Sequence, residues 1–118
     1  MEKHILLAEG HQASLDLLQD VLEDTGFRVL VAQTGPECVD LARAHRPAAV
    51  LLGDKLPGAD ALHICRQLKG DERTSACRVV IMTVMDTPLA RTEAQQAGAD
   101  AWLAKPFSPA DILSSALG

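Results

Sequence analysis

Glu9, His11, Asp54, Thr83 and Lys105 stand where short apolar runs stop, and their types bound the chemistry they could do. Two carboxylates could hold a hard cation or pair with an ammonium. Lys105 is expected to pair with Glu9 or Asp54 rather than to bind phosphate. Thr83 offers a hydroxyl, or serves only as a β-branched strand residue. His11 could donate to an anion, but a single loop histidine is more often solvated. His4, His45 and His63 have no ligand spacing with any cysteine, so no metal site is expected there. Trp102, the only tryptophan, is either a partner-facing anchor or half-buried core on an edge strand. Met82 and Met85 read as packing residues. The run Arg66, Lys69, Asp71, Glu72, Arg73 reads as a solvated helix end. No Gly-x-Ser-x-Gly occurs and no cysteine lies in these loops, so no enzyme is expected. A flavin protein is disfavoured because Glu9-Gly10-His11-Gln12 opens with an acid that would repel phosphate.

The elements that must position these side chains alternate. Ile5 to Ala8 is a short apolar run, read as a buried strand, followed by a helix with Leu15, Leu18 and Leu22 on one face and Gly26 at its end. Arg28 to Ala32 is a second strand. Thr34-Gly35-Pro36-Glu37 opens the next helix with a capping box, and Cys38, Leu41, Ala42 and His45 form its apolar face. Ala48 to Leu52 is continuously apolar, as a central parallel strand should be, and Gly53 to Gly58 reads as a loop. Ala61 to Leu68 is a helix with Leu62, Cys65 and Leu68 inward. Cys77 to Thr83 is a second central strand. A helix runs from Asp86-Thr87-Pro88 to about Gly98, then Ala101 to Ala104 is a fifth strand. Ser108 to Asp111 caps a last helix carrying Ile112, Leu113, Ala116 and Leu117. Five strands alternating with five helices imply an α/β fold, a parallel sheet covered on both faces, with function at the carboxyl ends of the strands.

Composition narrows the classes. The 118 residues fit one domain, 1–118, with 47% hydrophobic residues. A chain of this size buries roughly two-thirds of its unfolded surface, enough for a core without staples. The net charge of -5 and the scattered 11 Lys and Arg argue against nucleic acid as a partner. No apolar run approaches the ~20 residues that span a bilayer, so no membrane association is expected. Met1-Glu2-Lys3-His4 lacks a signal-peptide layout, and three separated cysteines suit a reducing cytoplasm.

Four segments, in order, carry a resemblance. Ile5-Leu6-Leu7-Ala8-Glu9 ends the first strand with an acid, Leu56-Pro57-Gly58-Ala59-Asp60 makes a Pro-Gly turn, Thr83 closes the fourth strand, and Gly98 to Phe107 reads Gly-Ala-Asp-Ala-Trp-Leu-Ala-Lys-Pro-Phe. From Lys3 to about Leu117 the chain resembles the response-regulator receiver domain of two-component signalling. That resemblance implies a flavodoxin-like sheet of order 2-1-3-4-5 in a three-layer α/β/α sandwich. It also implies an acceptor aspartate, a magnesium ion held by an acidic pair, a hydroxyl and a lysine that meet the phosphoryl group, and an aromatic residue that responds.

Residue by residue, Glu9 falls on the first of the acidic pair and Gly10 on the second, so one carboxylate is missing. Counting back three residues from Leu56 places the acceptor at Gly53, which has no nucleophile. Thr83 matches the hydroxyl position, with a bulky Val84 beside it; Lys105 matches the lysine, with Pro106 in a commonly cis bond; Trp102 matches the aromatic position. Asp54 lies one residue past the acceptor. If the strand persists through it, its carboxylate points away from Lys105; if the strand ends at Leu52, the loop could swing it inward. The expected function is therefore a degenerate receiver acting as a phosphorylation-independent interaction module, with no cofactor. Its binding face would be the C-terminal helix-strand-helix unit, with Leu89, Arg91, Trp102 and Asp111. Its partner would be a protein, such as a histidine kinase or a fused output domain. The alternative is a working receiver, phosphorylated by a histidine kinase on Asp54 with weak Mg2+ at Glu9 and Asp54.

Overall fold

A computed structural model describes residues 3–54, 56–58, 60–84, 86–105 and 108–117. Lys55, Ala59, Met85, Pro106 and Phe107 lie outside the described residues, and with them the packing role read for Met85 and the Lys-Pro bond geometry.

The alternation resolves into β1 (His4–Ala8), α1 (Gln12–Glu23), β2 (Arg28–Ala32), α2 (Gly35–His45), β3 (Ala49–Gly53), α3 (Ala61–Lys69), β4 (Arg78–Thr83), α4 (Pro88–Gln96), β5 (Ala101–Ala104) and α5 (Pro109–Leu117). The strands are all parallel in the order β2-β1-β3-β4-β5, the flavodoxin-like arrangement expected. Side chains alternate across the sheet. Leu6, Val50, Leu52, Val79 and Ile81 pack on one face with Cys38 and Ala42 of α2, Ile64, Cys65 and Leu68 of α3, and Ala94 of α4. Ile5, Leu7, Ala49, Leu51, Val80 and Met82 pack on the other with Leu15, Leu18 and Leu22 of α1 and Ile112 and Ala116 of α5. β3 is buried along its whole length, which explains its unbroken apolar sequence.

The local signals act as their chemistry requires. The Thr34 hydroxyl accepts from the Glu37 N–H at 3.2 Å, and the Glu37 carboxylate accepts from the Gln33 N–H at 2.7 Å. Asp60 caps α3 and Thr87 caps α4. At Gly58, φ is +88° and a Cβ would meet Pro36 at 3.1 Å, so glycine lets the turn after β3 seat against the start of α2.

Several expectations need correction. Gly53 is not loop but the last residue of β3, paired with Met82. Ala48 and Cys77 precede their strands, α3 runs one residue further than Leu68, and α4 stops at Gln96. On α2, Val39 is buried beside the expected Cys38 and Ala42, whereas His45 is exposed and lies beside His4, with ring centroids 5.4 Å apart. On α3, Ile64 is buried and Leu62 only partly so. The charged run after α3 is not merely solvated. Asp71 holds Arg43 at 3.0 Å and Arg73 at 2.9 Å, and these bonds, Arg73 foremost, hold its carboxyl well below the usual range. All three cysteines are buried; burial, with Glu37 adding, pushes the Cys38 thiol up to about 12.

Candidate functional site

The carboxyl ends of β1, β3, β4 and β5 surround a cavity of about 330 Å³ lined by Glu9, Gly10, His11, Ser14, Asp54, Pro57, Val84 and Lys105. Strand register decides which side chains meet in it. Ile5 opposes Ala49 and Leu7 opposes Leu51, so one more step places Glu9 beside Gly53, on the face packed by α1 and α5. Leu103 of β5 packs on that face too, and Lys105 follows it at the same parity. Glu9 and Lys105 therefore lie on one face, separated by the ends of β3 and β4. Their side chains meet above those ends, with Lys105 Nζ 3.2 Å from Glu9 Oε2. This is the ion pair expected of Lys105.

The pair crosses β3 at Gly53. A Cβ built there would lie 2.9 Å from Glu9 Oε2 and 3.3 Å from the Ala8 carbonyl. The Glu9 carboxylate thus lies against the space into which a side chain at position 53 would project and would have to shift to admit one. It is nearly buried, its side chain 4% exposed, and its Oε1 accepts the His11 N–H at 3.2 Å.

Asp54 belongs to the opposite face. Leu52 opposes Ile81 and Gly53 opposes Met82, so the next rung opposes Asp54 to Thr83. The ladder pattern persists, with the Asp54 N–H donating to the Met82 carbonyl at 3.0 Å. The Thr83 hydroxyl donates to Asp54 Oδ2 at 2.6 Å, in the range of a charge-assisted bond. Neither branch of the expectation for Asp54 held in full. The strand ends at Gly53, not Leu52, and the carboxylate reaches the Thr83 hydroxyl rather than Lys105.

The remaining candidates sit around this core. Gly10 and His11 are exposed; His11 precedes α1 without capping it, and its Nδ1 lies 3.4 Å from Ser14 Oγ. Ser14 was missed in the sequence, although its place one turn after His11 could have flagged it. Val84 is 57% exposed at the cavity mouth. Trp102 is half-buried on edge strand β5, packed against the face that carries α2 and α3, and its indole N–H is buried without a hydrogen bond. Nearby, the Arg91 guanidinium lies 2.6 Å from Asp86 and holds the Asp86 carboxyl below its ordinary range against the opposing effect of burial. Leu89 on α4 is 68% exposed, and Arg91 and Asp111 are exposed. A larger, open concavity of about 780 Å³ lies away from the strand ends, where Arg43 and Arg73 are already bonded to Asp71.

The donor set does not suit magnesium. That ion demands near-octahedral oxygen ligation and is drawn to unpaired carboxylates. Position 10 is glycine, Glu9 is paired with Lys105, and Asp54 accepts from Thr83. Among the described residues no three His, Cys, Asp or Glu side chains come together as a metal site. No helix among them is long and apolar enough to cross a membrane.

Residues 5–117 match the family model of the response regulator receiver domain. Over 108 residues the chain is 29% identical to the polar-differentiation response regulator DivK of Brucella anthropi, covering 92% of this chain and 88% of the relative. DivK of Brucella ovis is equally similar. Among solved structures, the chemotaxis protein CheY4 of Vibrio cholerae superposes with a TM-score of 0.90 at 20% identity, covering 98% of this chain and 96% of that one. The receiver domain of the sensor histidine kinase PA1611 of Pseudomonas aeruginosa, with a magnesium ion coordinated in its cleft, superposes with a TM-score of 0.87 at 24% identity over the full length of both chains.

Proposed function

This chain belongs to the response regulator receiver domain family of two-component signalling, and from that premise we propose that it is a degenerate member that signals by binding a protein rather than by accepting a phosphoryl group. The observation that carries this reading is the Glu9–Lys105 pair closed over Gly53. At the position corresponding to the family's acceptor there is no nucleophile, and the space an acceptor would need holds another carboxylate. The lysine that would meet a phosphoryl oxygen is already neutralised. With one acidic position replaced by Gly10, the magnesium-ordering charge is reduced as well.

On this reading the domain carries out no chemistry of its own and works in the cytoplasm. Its output is a surface, and the α4–β5–α5 face offers Leu89, Arg91, Trp102 and Asp111. An exposed Leu89 and a half-buried Trp102 beside charged residues suit a protein partner, a histidine kinase or a fused output domain among them. The domain's net negative charge disfavours nucleic acid.

A second reading takes Asp54 as a displaced acceptor, because it lines the same cavity as Lys105. It requires the carboxylate to leave the Thr83 hydroxyl and turn to the opposite face of the sheet. Amide spectra recorded with magnesium and then beryllofluoride, which mimics an aspartyl phosphate, separate the two. We expect the Gly53, Thr83, Trp102 and Lys105 amides to stay in place. Concerted shifts that vanish in Asp54→Asn would overturn the proposal in favour of the second reading.

A further inference from the structure

The ends of four strands are joined by a continuous series of polar contacts that uses only this chain's own atoms. Glu9 after β1 pairs with Lys105 after β5. The Lys105 N–H donates to the Thr83 carbonyl at 2.7 Å. The Thr83 hydroxyl donates to Asp54, and the Asp54 N–H donates to the Met82 carbonyl. Thr83 is 2% exposed and its hydroxyl bond to the half-buried Asp54 is part-buried, whereas its neighbour Val84 is 57% exposed. Along β4 and β5, Ile81 opposes Trp102 and Thr83 opposes Ala104, so the Thr83 side chain lies on the same face of the sheet as the Trp102 indole.

We propose that Asp54 is a positioning residue: by holding the Thr83 hydroxyl it keeps the end of β4, and through it Val84 and Trp102, in one arrangement without any ligand. The proposal rests on the reading of the α4–β5–α5 unit as the binding face. A short O–H···O bond to a carboxylate in a part-buried setting favours one threonine rotamer. A β-branched side chain held in this way keeps one χ1 rotamer, which restrains the strand end immediately before Val84. Asp54 has no counterpart in the acidic pair, the hydroxyl or the lysine on which the resemblance to receivers was built. Its contact arises because β3 and β4 continue their register one rung past the glycine.

The test compares variants without magnesium or any phosphate mimic, so that it does not depend on the titration described above. Trp102 is the only tryptophan, and its indole N–H signal and fluorescence report on a site not covalently adjacent to the substitutions. Asp54→Ala and Thr83→Val each remove the bond; Asp54→Asn and Thr83→Ser each retain an acceptor or a donor. We expect the two disruptive variants to move the Trp102 indole signal and shift its emission maximum, and the two conservative ones to match the parent. The double variant Asp54→Ala/Thr83→Val should move the signal no further than either single change. Thr83→Val is nearly isosteric and serves if Asp54→Ala does not fold. A Trp102 signal unchanged in the disruptive variants, or displaced as far in Asp54→Asn as in Asp54→Ala, would show that the hydrogen bond does not position this face. A mimic-induced shift in the parent with these variant results intact would instead overturn only the phosphorylation-independent reading.

Discussion

At position 53 the absence of a side chain is itself a structural feature. It lets the Glu9 carboxylate extend over the end of β3 to Lys105, with Oε2 2.9 Å from where a Cβ would stand. An aspartate there would face a carboxylate already in contact with its own position, and like charges so close resist joint ionisation. On the proposed reading, an aspartate at this position is therefore not expected to create a working acceptor by itself. Gly53→Asp is expected to lose about 1–3 kcal/mol of stability, the range for disrupting a buried polar contact. It should take up no phosphoryl group from phosphoramidate, as read by intact mass. A variant that gained a phosphoryl group would show that Glu9 moves aside easily.

Among the elements, α2 and α4 mark the extremes of how this chain secures a helix. α2 has a Thr34 cap on the Glu37 N–H, a return bond from the Gln33 N–H to the Glu37 carboxylate, a proline in its first turn and four buried residues. Replacing Thr34 with Ala removes the acceptor for the Glu37 N–H and should cost ~1 kcal/mol in urea denaturation, with the slope unchanged. A cost near zero would mean that the turn at Pro57 and Gly58, whose Pro57 carbonyl accepts from the Gly35 N–H at 2.8 Å, holds the helix start alone. α4 buries only Ala94 and leaves Leu89 outward, so little packing resists its movement. Such an element suits a face that a partner completes.

For the whole molecule, the clearest pH-sensitive tie is at Asp100. Its carboxylate lies 2.6 Å from Lys69 and accepts the Val79 N–H at 2.8 Å, while Lys69 also reaches the Cys77 carbonyl at 2.7 Å. The end of α3 and the starts of β4 and β5 are joined there. Burial opposes ionisation of Asp100, but the bonds to Lys69 and Val79 outweigh it and lower its pKa. A depressed folded-state pKa gives stability that is present above the unfolded value of about 3.9 and is lost as pH falls through the folded value. The stability gap between the parent and Asp100→Asn should therefore be largest near neutral pH and should narrow below about pH 4. Thermal melts across that range check it, and a gap that stays constant would assign the effect of Asp100 to packing.

The sequence by itself determined the β/α alternation, the sheet class and the receiver resemblance. Apolar runs bounded by Gly, Pro and capping residues report local structure directly, and counting back from the Pro57-Gly58 turn singled out position 53 for the proposal. Tertiary structure alone decided the rest. Gly53 reads as a breaker, yet pairing with Met82 makes it strand. His45 falls in a helical apolar pattern, yet α2 rotates Val39 inward instead. Lys69 and Asp100, 31 positions apart, meet only once the sheet forms. The same holds for the two contacts that define the site. Which carboxylate meets the lysine and which meets the threonine depends on strand parity and on the register between β1, β3 and β4. Those are set by non-local packing, so no motif along the chain could have assigned Glu9 to Lys105 and Asp54 to Thr83.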